Sequence, residues 1–145
     1  MTDIIFQDIT IADIDLSYEL HRQYCKFLQS LGVEINMTQF SNHEQFVLKF
    51  INDNDNHPYK KWYMICFGDV KIGYVVIKKI GEFGYVLLEE YRDVGIGTKF
   101  FTEFFKLHKP ETVWARSKIE NKRSHHMLEK FGFNKTDYEF HYEVR

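Results

Sequence analysis

Apolar and polar residues follow two different periods in the first part of the chain. Residues 4–9 form a short, mostly apolar segment typical of a first strand. Thr10 and Asp13 then make a capping-box pattern, and the helix that follows is predicted to reach about Leu31, where Gly32 can end it. Its apolar positions at helical spacing are Leu16, Leu20, Tyr24, Phe27 and Leu31. The chain is therefore predicted to open with a strand and a long helix.

A second amphipathic segment follows this helix. Ser41 and Glu44 form another capping-box pattern, which predicts a helix starting there. The apolar residues of this predicted helix are Phe46, Val47, Phe50 and Ile51. Residues 52–59 are polar and contain Pro58, so they are predicted to form a loop.

The middle of the chain has the pattern of three neighbouring strands. Residues 62–67 and 71–78 are apolar segments joined by Gly68-Asp69, a spacing that predicts an antiparallel hairpin. Gly81 provides a further turn into a third strand over residues 83–88. These segments predict an antiparallel meander.

Helices and strands alternate in the last third of the chain. A helix is predicted from about residue 97 to 108, a strand over 112–117 and a second helix over 121–131. Gly132 suits the position after a helix, where a left-handed residue is preferred. Residues 138–144 alternate between apolar and polar side chains and predict a final strand.

The order of these elements defines the expected fold class. The order β-α-α-β-β-β-α-β-α-β predicts a mixed α/β (α+β) protein, in which an antiparallel meander leads into a βαβ unit. We find no repeat, linker or low-complexity segment, and we expect one domain over residues 1–145.

Composition and charge narrow the classes of function. The chain has 145 residues, a formal net charge of −2 and no basic stripe, which argues against a nucleic-acid partner. No apolar run approaches a membrane span, and no secretory leader is recognisable, so we expect no membrane partner. Cys25 and Cys66 are far apart in apolar surroundings and are expected to be free thiols in the cytoplasm. The histidines show no metal-binding spacing, so no metal is expected.

One motif carries candidate chemistry, the loop Arg92-Asp93-Val94-Gly95-Ile96-Gly97-Thr98 between a predicted strand and a helix. Glycines let backbone N–H groups approach a phosphate, and a helix N-terminus adds unpaired donors and a favourable dipole. The loop thus suits a pyrophosphate, although a tight strand-to-helix turn explains the glycines alone equally well. Phe100 breaks the dinucleotide fingerprint, and the chain lacks the Gly-Lys-Ser/Thr of a P-loop.

The loop resembles motif A of the GNAT superfamily of N-acetyltransferases, Arg/Gln-x-x-Gly-x-Gly/Ala. The preceding residues 82–92 resemble the fourth strand of that family. Asn121-Lys122-Arg123-Ser124, followed by residues 128–133, resembles its second signature. The close resemblance covers about residues 82–133, while the first 60 residues agree only in the order of elements.

This resemblance implies a fold and a cosubstrate. The GNAT fold has splayed fourth and fifth strands, with acetyl-CoA in the cleft between them. The implied contacts are fourth-strand backbone near Leu87 and Leu88, backbone N–H groups of Val94, Gly95, Ile96, Gly97 and Thr98, and the side chains of Arg92, Thr98, Asn121 and Ser124.

Catalysis by such a protein needs a neutral acceptor amine. An alkylamine has a pKa of about 10, so a base or a water chain must remove its proton. Glu82 is the first candidate, because a carboxylate occupies about this place in some relatives. Glu89 is the second candidate and Glu90 is a further alternative; the competing interpretation of each of the three is a solvated surface carboxylate.

The chain departs from the family pattern in two places. Leu128 stands where many relatives have a tyrosine that protonates the leaving thiolate. Asp93 and Val94 replace the glycine and basic residue usual in the loop, and we expect Asp93 to point to solvent. Other candidate proton donors, with no geometric support, are His125, His126, Tyr91, Tyr138 and Tyr142.

The resemblance implies transfer of an acetyl group from acetyl-CoA to a primary amine by direct attack in a ternary complex. The acceptor classes left open are an aminosugar, an amino acid or polyamine, and, as the lesser alternative, a protein N-terminus; the protein is expected to be a monomer or homodimer. A non-catalytic CoA-binding sensor or scaffold remains an alternative, as does a phosphate- or nucleotide-binding protein of another class.

Overall fold

The computed structural model describes residues 3–92, 94–107, 113–118, 120–135 and 141–143. The strands are β1 (Ile4–Asp8), β2 (Tyr59–Phe67), β3 (Val70–Lys78), β4 (Phe83–Leu87), β5 (Trp114–Arg116), β6 (Asn134–Lys135) and β7 (His141–Glu143). The helices are α1 (Ile14–Ser30), α2 (Phe40–Asn52), α3 (Ile96–Leu107) and α4 (Lys122–Lys130). Within these described ranges, no helix is both long and apolar enough to cross a membrane.

The first four strands form an antiparallel sheet in the order β1-β2-β3-β4. The β2–β3 hairpin turns at Gly68, whose φ of 63° lies in the left-handed region that glycine adopts without strain. A second sheet has the order β5-β7-β6. Among the described residues, one parallel bridge, between Glu82 and Trp114, joins the start of β4 to β5. Because the described parts of the two strands pair only there, the predicted mixed fold with splayed fourth and fifth strands is confirmed.

Strand alternation gives the four-stranded sheet two apolar faces. One face packs against α3 through a cluster of aromatic rings, with Phe83 from β4 and Phe100, Phe101 and Phe104 from α3 all buried. The other face packs against α1 and α2, with Leu20, Val47, Trp62 and Val86 in its core. Burial of these side chains on both faces supplies the main apolar stabilisation of the fold.

Several local predictions are confirmed by the structure. The Thr10–Asp13 capping box is present, with the Thr10 backbone N–H donating to Asp13 Oδ2 at 2.9 Å. The box caps a short 3-10 turn over Ile11–Asp13, and α1 begins directly after it at Ile14. Gly132 follows α4 with a φ of 89°, as the sequence pattern predicts. Both cysteines are buried free thiols.

Three predictions about the elements need correction. Helix α2 begins at Phe40 and is preceded by Gln39, so the Ser41–Glu44 pattern lies inside the helix and does not cap it. Strand β2 begins at Tyr59, three residues before the predicted start. The two-residue strand β6 was not predicted, because it is too short to show an alternating pattern. Of the predicted last strand, residues 141–143 form β7, and residues 138–140 and 144 lie outside the described residues.

Candidate acetyl-CoA and acceptor site

A cavity of about 510 Å³ lies where β4 and β5 separate; we call it the main cavity. It is bordered by α1, β3, β4, the N-terminus of α3, β5 and α4. Its polar and charged lining includes Tyr24, Lys78, Glu82, Tyr85, Arg92, Thr98, Arg116, Asn121, Arg123 and Ser124. Most of the residues implied by the family resemblance therefore come together around one space.

The backbone of β4 presents an unpaired edge to this cavity. Leu88 donates its N–H to Ile72 O of β3 at 2.8 Å. Adjacent residues of a strand point their backbone N–H and C=O groups in opposite directions. The backbone groups of Tyr85 and Leu87 therefore point away from β3, into the space between β4 and β5. Leu87 O accepts a hydrogen bond from Arg92 Nε at 3.1 Å. The geometry thus favours Leu87 over Leu88 as a backbone contact for a ligand in the cavity.

The glycine loop leads into the N-terminus of α3. Gly95 has a φ of 83°, which L side chains rarely adopt, and α3 begins at Ile96 as expected. The N–H groups in the first turn, including those of Gly97 and Thr98, have no partner within the helix. A Cβ on Gly97 would lie 3.3 Å from Met127 Cε, so the backbone here is close to α4. Val94 is exposed, and Asp93 lies outside the described residues.

Two arginines lie beside this helix N-terminus. The guanidinium groups of Arg92 and Arg123 lie 5.2 and 5.4 Å from the centre of the same ring, Phe27 of α1. Burial lowers the pKa of Arg92, and Arg123 lowers it further. Arg92 Nη2 is buried and has no hydrogen-bond partner among the described residues. Two neighbouring cations, an unsatisfied donor and a helix N-terminus together fit an anionic group such as the pyrophosphate of CoA.

The second signature forms the start of α4. Asn121 caps this helix, its Oδ1 accepting from the Ser124 backbone N–H at 3.3 Å. Burial raises the pKa of the nearby Tyr24 hydroxyl, and a smaller effect of the Asn121 side chain lowers it. Lys130 Nζ of α4 donates to Thr98 Oγ1 of α3 at 3.2 Å. The hydrogen bonds of Asn121 and Thr98, two of the predicted cofactor residues, therefore both involve α4.

The two predicted catalytic carboxylates have different surroundings. Glu82 is buried and lines the main cavity, where Arg116 binds both of its oxygens and Lys78 Nζ lies 2.7 Å from Oε1. Burial raises the pKa of Glu82, but the hydrogen bonds from Arg116 and Lys78 outweigh it and lower the pKa overall. Glu89 is exposed in a 3-10 turn after β4 and is not part of the cavity lining. Its catalytic role stays a prediction without geometric support.

Helix α1 contributes three residues that sequence reasoning did not assign to the site. His21, Tyr24 and Phe27 line the main cavity at a spacing of three residues along one helical face. The sequence analysis identified Tyr24 and Phe27 only as part of an apolar helical pattern. Their three-residue spacing from His21 was the one sequence feature that could have indicated a shared face. Leu128 is buried and lines the cavity, so it offers no proton donor where relatives often have a tyrosine.

A second cavity of about 370 Å³, which we call the side cavity, adjoins the main cavity where His21, Tyr59 and Tyr74 line both. It is lined by His21, Thr38, Asn42, His43, Phe46, Tyr59, Trp62 and Tyr74. Burial, with a smaller effect of His21, lowers the pKa of His43 to about 4. In the described part of the chain, no three His, Cys, Asp or Glu side chains gather as a metal site.

Comparisons with known proteins agree with this geometry. The PaiA N-acetyltransferase of Thermoplasma acidophilum, solved with coenzyme A, superposes with a TM-score of 0.75 at 17% identity, covering 99% of each chain. A spermidine N-acetyltransferase of Vibrio cholerae, solved with CoA and spermine, has a TM-score of 0.74 at 16% identity, covering 97% of this chain and 92% of that one. The ribosomal L7/L12 α-N-protein acetyltransferase RimL, solved with CoA, has a TM-score of 0.67 at 15% identity, covering 99% and 92%.

Sequence comparison shows the family directly. No curated protein sequence matches the chain significantly. By contrast, the sequence model described as the acetyltransferase (GNAT) domain matches residues 3–134. The chain therefore belongs to the GNAT acetyltransferase family.

Proposed function

We propose that this protein transfers an acetyl group from acetyl-CoA to a primary amine by direct attack in a ternary complex. One observation carries the proposal: the main cavity extends from the N-terminus of α3, with Arg92 and Arg123, along the unpaired edge of β4 to Glu82. A candidate anion site, a strand edge that pairs with no other strand along Tyr85 and Leu87 among the described residues, and a buried carboxylate occupy one space. Both cysteines are buried free thiols, which suits a reducing compartment such as the cytoplasm.

Different residues of the main cavity would bind different parts of acetyl-CoA. Backbone N–H groups from Val94 to Thr98, together with Arg92, would hold the pyrophosphate. The edge of β4 at Leu87 would pair with the pantetheine arm, and Asn121 and Ser124 would contact it from α4. Bound acetyl-CoA supplies the activated acetyl group. A backbone N–H on the β4 edge would donate to the carbonyl oxygen as charge develops there.

The transfer forms a C–N bond between the amine and the acetyl carbon and breaks the C–S bond to CoA. The amine loses a proton and the sulfur leaves as thiolate or thiol. Glu82 is the proposed proton acceptor, and Glu89 is the alternative. The lowered pKa of Glu82 keeps its carboxylate ionised, which favours attraction of the ammonium form and makes it a weak base.

A thiol-release assay tests this function. The protein is mixed with acetyl-CoA and a set of amines. Glucosamine, phenylalanine, spermidine and a short peptide with a free N-terminus cover the open acceptor classes, and 2-phenylethylamine is added as a simple primary amine. Saturable release of CoA thiol that depends on one of these amines, with the N-acetyl product seen by mass spectrometry, supports the proposal. Binding of acetyl-CoA without turnover of any amine would contradict it.

A non-catalytic CoA-binding module is the second candidate. Leu128 in place of a proton donor and the ion pairs that occupy Glu82 both favour it. The same assay separates the two functions, because a sensor or scaffold binds CoA and leaves every amine unmodified.

A further inference from the structure

The side cavity adjoins the main cavity through shared walls. His21, Tyr59 and Tyr74 line both spaces, so these side chains form the boundary between them. At its other end the side cavity is lined by Thr38 and Asn42, which are exposed. The side cavity therefore lies between these exposed residues and the main cavity.

Six of the eight described residues that line the side cavity have side-chain rings, two of them imidazoles. Trp62 is buried, and its ring lies 5.0 Å from Tyr59, 5.8 Å from Tyr74 and 6.0 Å from Phe46, measured between ring centroids. His43 packs against the same indole at 6.2 Å in an edge-on arrangement. Rings held this way offer flat apolar surfaces to a planar group.

The side cavity carries no formal charge at neutral pH. None of its eight described lining residues is Asp, Glu, Lys or Arg. Ser17 Oγ donates to Ile14 O at 3.0 Å, so His43 Nε2 donates in turn to Ser17 Oγ at 2.6 Å. Burial lowers the pKa of both His21 and His43, which keeps both imidazoles neutral.

The neighbouring end of the main cavity also lacks a free acidic group. Among the described residues lining that cavity, Glu82 is the one carboxylate, and it is bound by Arg116 and Lys78. An acceptor with several ammonium groups, such as a polyamine, needs carboxylates to replace its hydration. The charges that line the two cavities therefore disfavour such an acceptor.

We propose that the side cavity binds the non-reacting end of the acceptor, and that this acceptor is a primary amine carried on an uncharged aromatic ring. The inference rests on the proposed acetyl transfer and names its substrate class. The ring enters past Thr38 and Asn42, stacks among Phe46, Tyr59 and Tyr74, and leaves its amine at the boundary with the main cavity. The Thr38 hydroxyl and the Asn42 amide are available to polar groups on the ring.

Calorimetric titration tests the proposal without requiring turnover. Protein saturated with CoA is titrated with 2-phenylethylamine, with ethylamine, which lacks the ring, and with spermidine. The ring should improve affinity at least about tenfold over ethylamine, because burying it releases apolar surface from water. The variant Asn42→Trp, at an exposed position that lines the side cavity, should weaken 2-phenylethylamine binding by about tenfold or more. Ser41→Trp, exposed on the same helix and outside the lining, is the matched control.

Three results would overturn the proposal: equal affinity for ethylamine and 2-phenylethylamine, unchanged binding of 2-phenylethylamine in Asn42→Trp, or tighter binding of spermidine than of 2-phenylethylamine. The titration is repeated on protein without CoA, which measures the side cavity independently of the cofactor. Failure to bind CoA therefore counts against the proposed function, and failure to discriminate between amines counts against this inference alone.

Discussion

Glu82 and Arg116 form a two-point ion pair at the place where β4 and β5 separate. Arg116 Nε donates to Oε2 at 2.7 Å and Nη2 donates to Oε1 at 3.0 Å. Such bidentate pairs fix both side chains as well as attracting them. The pair lies beside the Glu82–Trp114 bridge that joins the two sheets, and the Glu82 carboxylate also lines the main cavity. Glu82 therefore makes a structural contact and is also a candidate catalytic residue.

Replacing Glu82 by Gln should separate these two contributions. We expect acetyl-CoA affinity to be kept and kcat to fall about tenfold, most strongly at low pH where more of the amine is protonated. The pH–rate profile with the preferred amine is the measurement, and Glu129→Gln, at an exposed carboxylate of α4, is the control. A profile identical to that of the parent protein would remove Glu82 as proton acceptor.

The same substitution should change the acid stability. Because the pKa of Glu82 is below its ordinary value of 4.5, its ionised form stabilises the fold above that pH. This contribution is lost as the pH falls through the lowered pKa. The parent should therefore lose more stability than Glu82→Gln below about pH 4.5, measured by urea unfolding. Parallel losses in the two proteins would show that the ion pair contributes nothing measurable.

Tyr24 is a candidate proton donor for the leaving thiolate, in place of the tyrosine that relatives often have at the position of Leu128. It lines the main cavity together with Asn121, and burial raises its pKa, so it stays protonated at neutral pH. We expect Tyr24→Phe to lower kcat about 100-fold while acetyl-CoA affinity changes little. Tyr63→Phe, on β2 outside both cavity linings, is the control. Normal turnover in Tyr24→Phe would exclude the hydroxyl as a proton donor.

His43 should make the protein less stable in mild acid. Its pKa in the fold is about 4 against an ordinary value of 6.5. Between these values the unfolded chain binds the additional proton, so the free energy of unfolding rises with pH across this interval. We expect His43→Gln to reduce that rise by on the order of 2 kcal/mol. His21 and His57, whose pKa values are also lowered by burial, should retain part of the slope.

His126→Gln, at an exposed position on α4, is the control for this experiment. Urea unfolding from pH 4 to 7 provides the measurement. A slope that is the same in His43→Gln and in the parent protein would contradict the assignment of a neutral, buried imidazole.

Gly73 allows β3 and β4 to approach closely beside the unpaired edge. A Cβ at this position would lie 2.3 Å from Val86 O and 2.9 Å from Leu87 Cδ2. Gly73→Ala must therefore move backbone, and we expect it to destabilise the fold by about 2–3 kcal/mol. At Gly84 the nearest atom, Val76 Cγ2, is 3.5 Å away, so Gly84→Ala is a matched control within the same strand pair. Equal midpoints of urea unfolding would contradict the expected clash.

Gly97 tests the glycine loop directly. A Cβ there meets only the flexible end of Met127, so Gly97→Val should fold, while its side chain hinders approach of a phosphate to the first turn of α3. We expect a loss of acetyl-CoA affinity of at least about tenfold by titration calorimetry. Lys106→Val, exposed near the end of α3, controls for a β-branched residue in this helix. Unchanged affinity in Gly97→Val would remove the loop from the binding site.

The proposed cofactor end of the main cavity could be predicted from sequence because its parts are local. The turn at Gly95, the start of α3 and the Asn121 cap each depend on a few consecutive residues. The start of α2 was missed because a tertiary contact decides it: Phe40 packs edge-on against Tyr18 of α1 at 5.2 Å, which extends the helix before Ser41.

The side cavity, which is the proposed acceptor site, could not be predicted in the same way. Its walls come from α1, α2, β2 and β3, with His21, His43, Trp62 and Tyr74 separated by many residues in the chain. Each of these residues lies in an ordinary apolar or amphipathic pattern. Only the packing of helices on the sheet brings them together, and the ion pairs of Glu82 with Lys78 and Arg116 are likewise formed by the fold.

We propose above that the main cavity holds acetyl-CoA through the glycine loop and the N-terminus of α3. Thermal unfolding with millimolar acetyl-CoA, CoA, ATP or NAD tests it most directly, because a ligand specific for the folded state raises the midpoint by mass action. The structure predicts a rise with acetyl-CoA and CoA that is absent or much smaller with ATP and NAD. No shift with acetyl-CoA, or a larger shift with ATP or NAD, would contradict the claim.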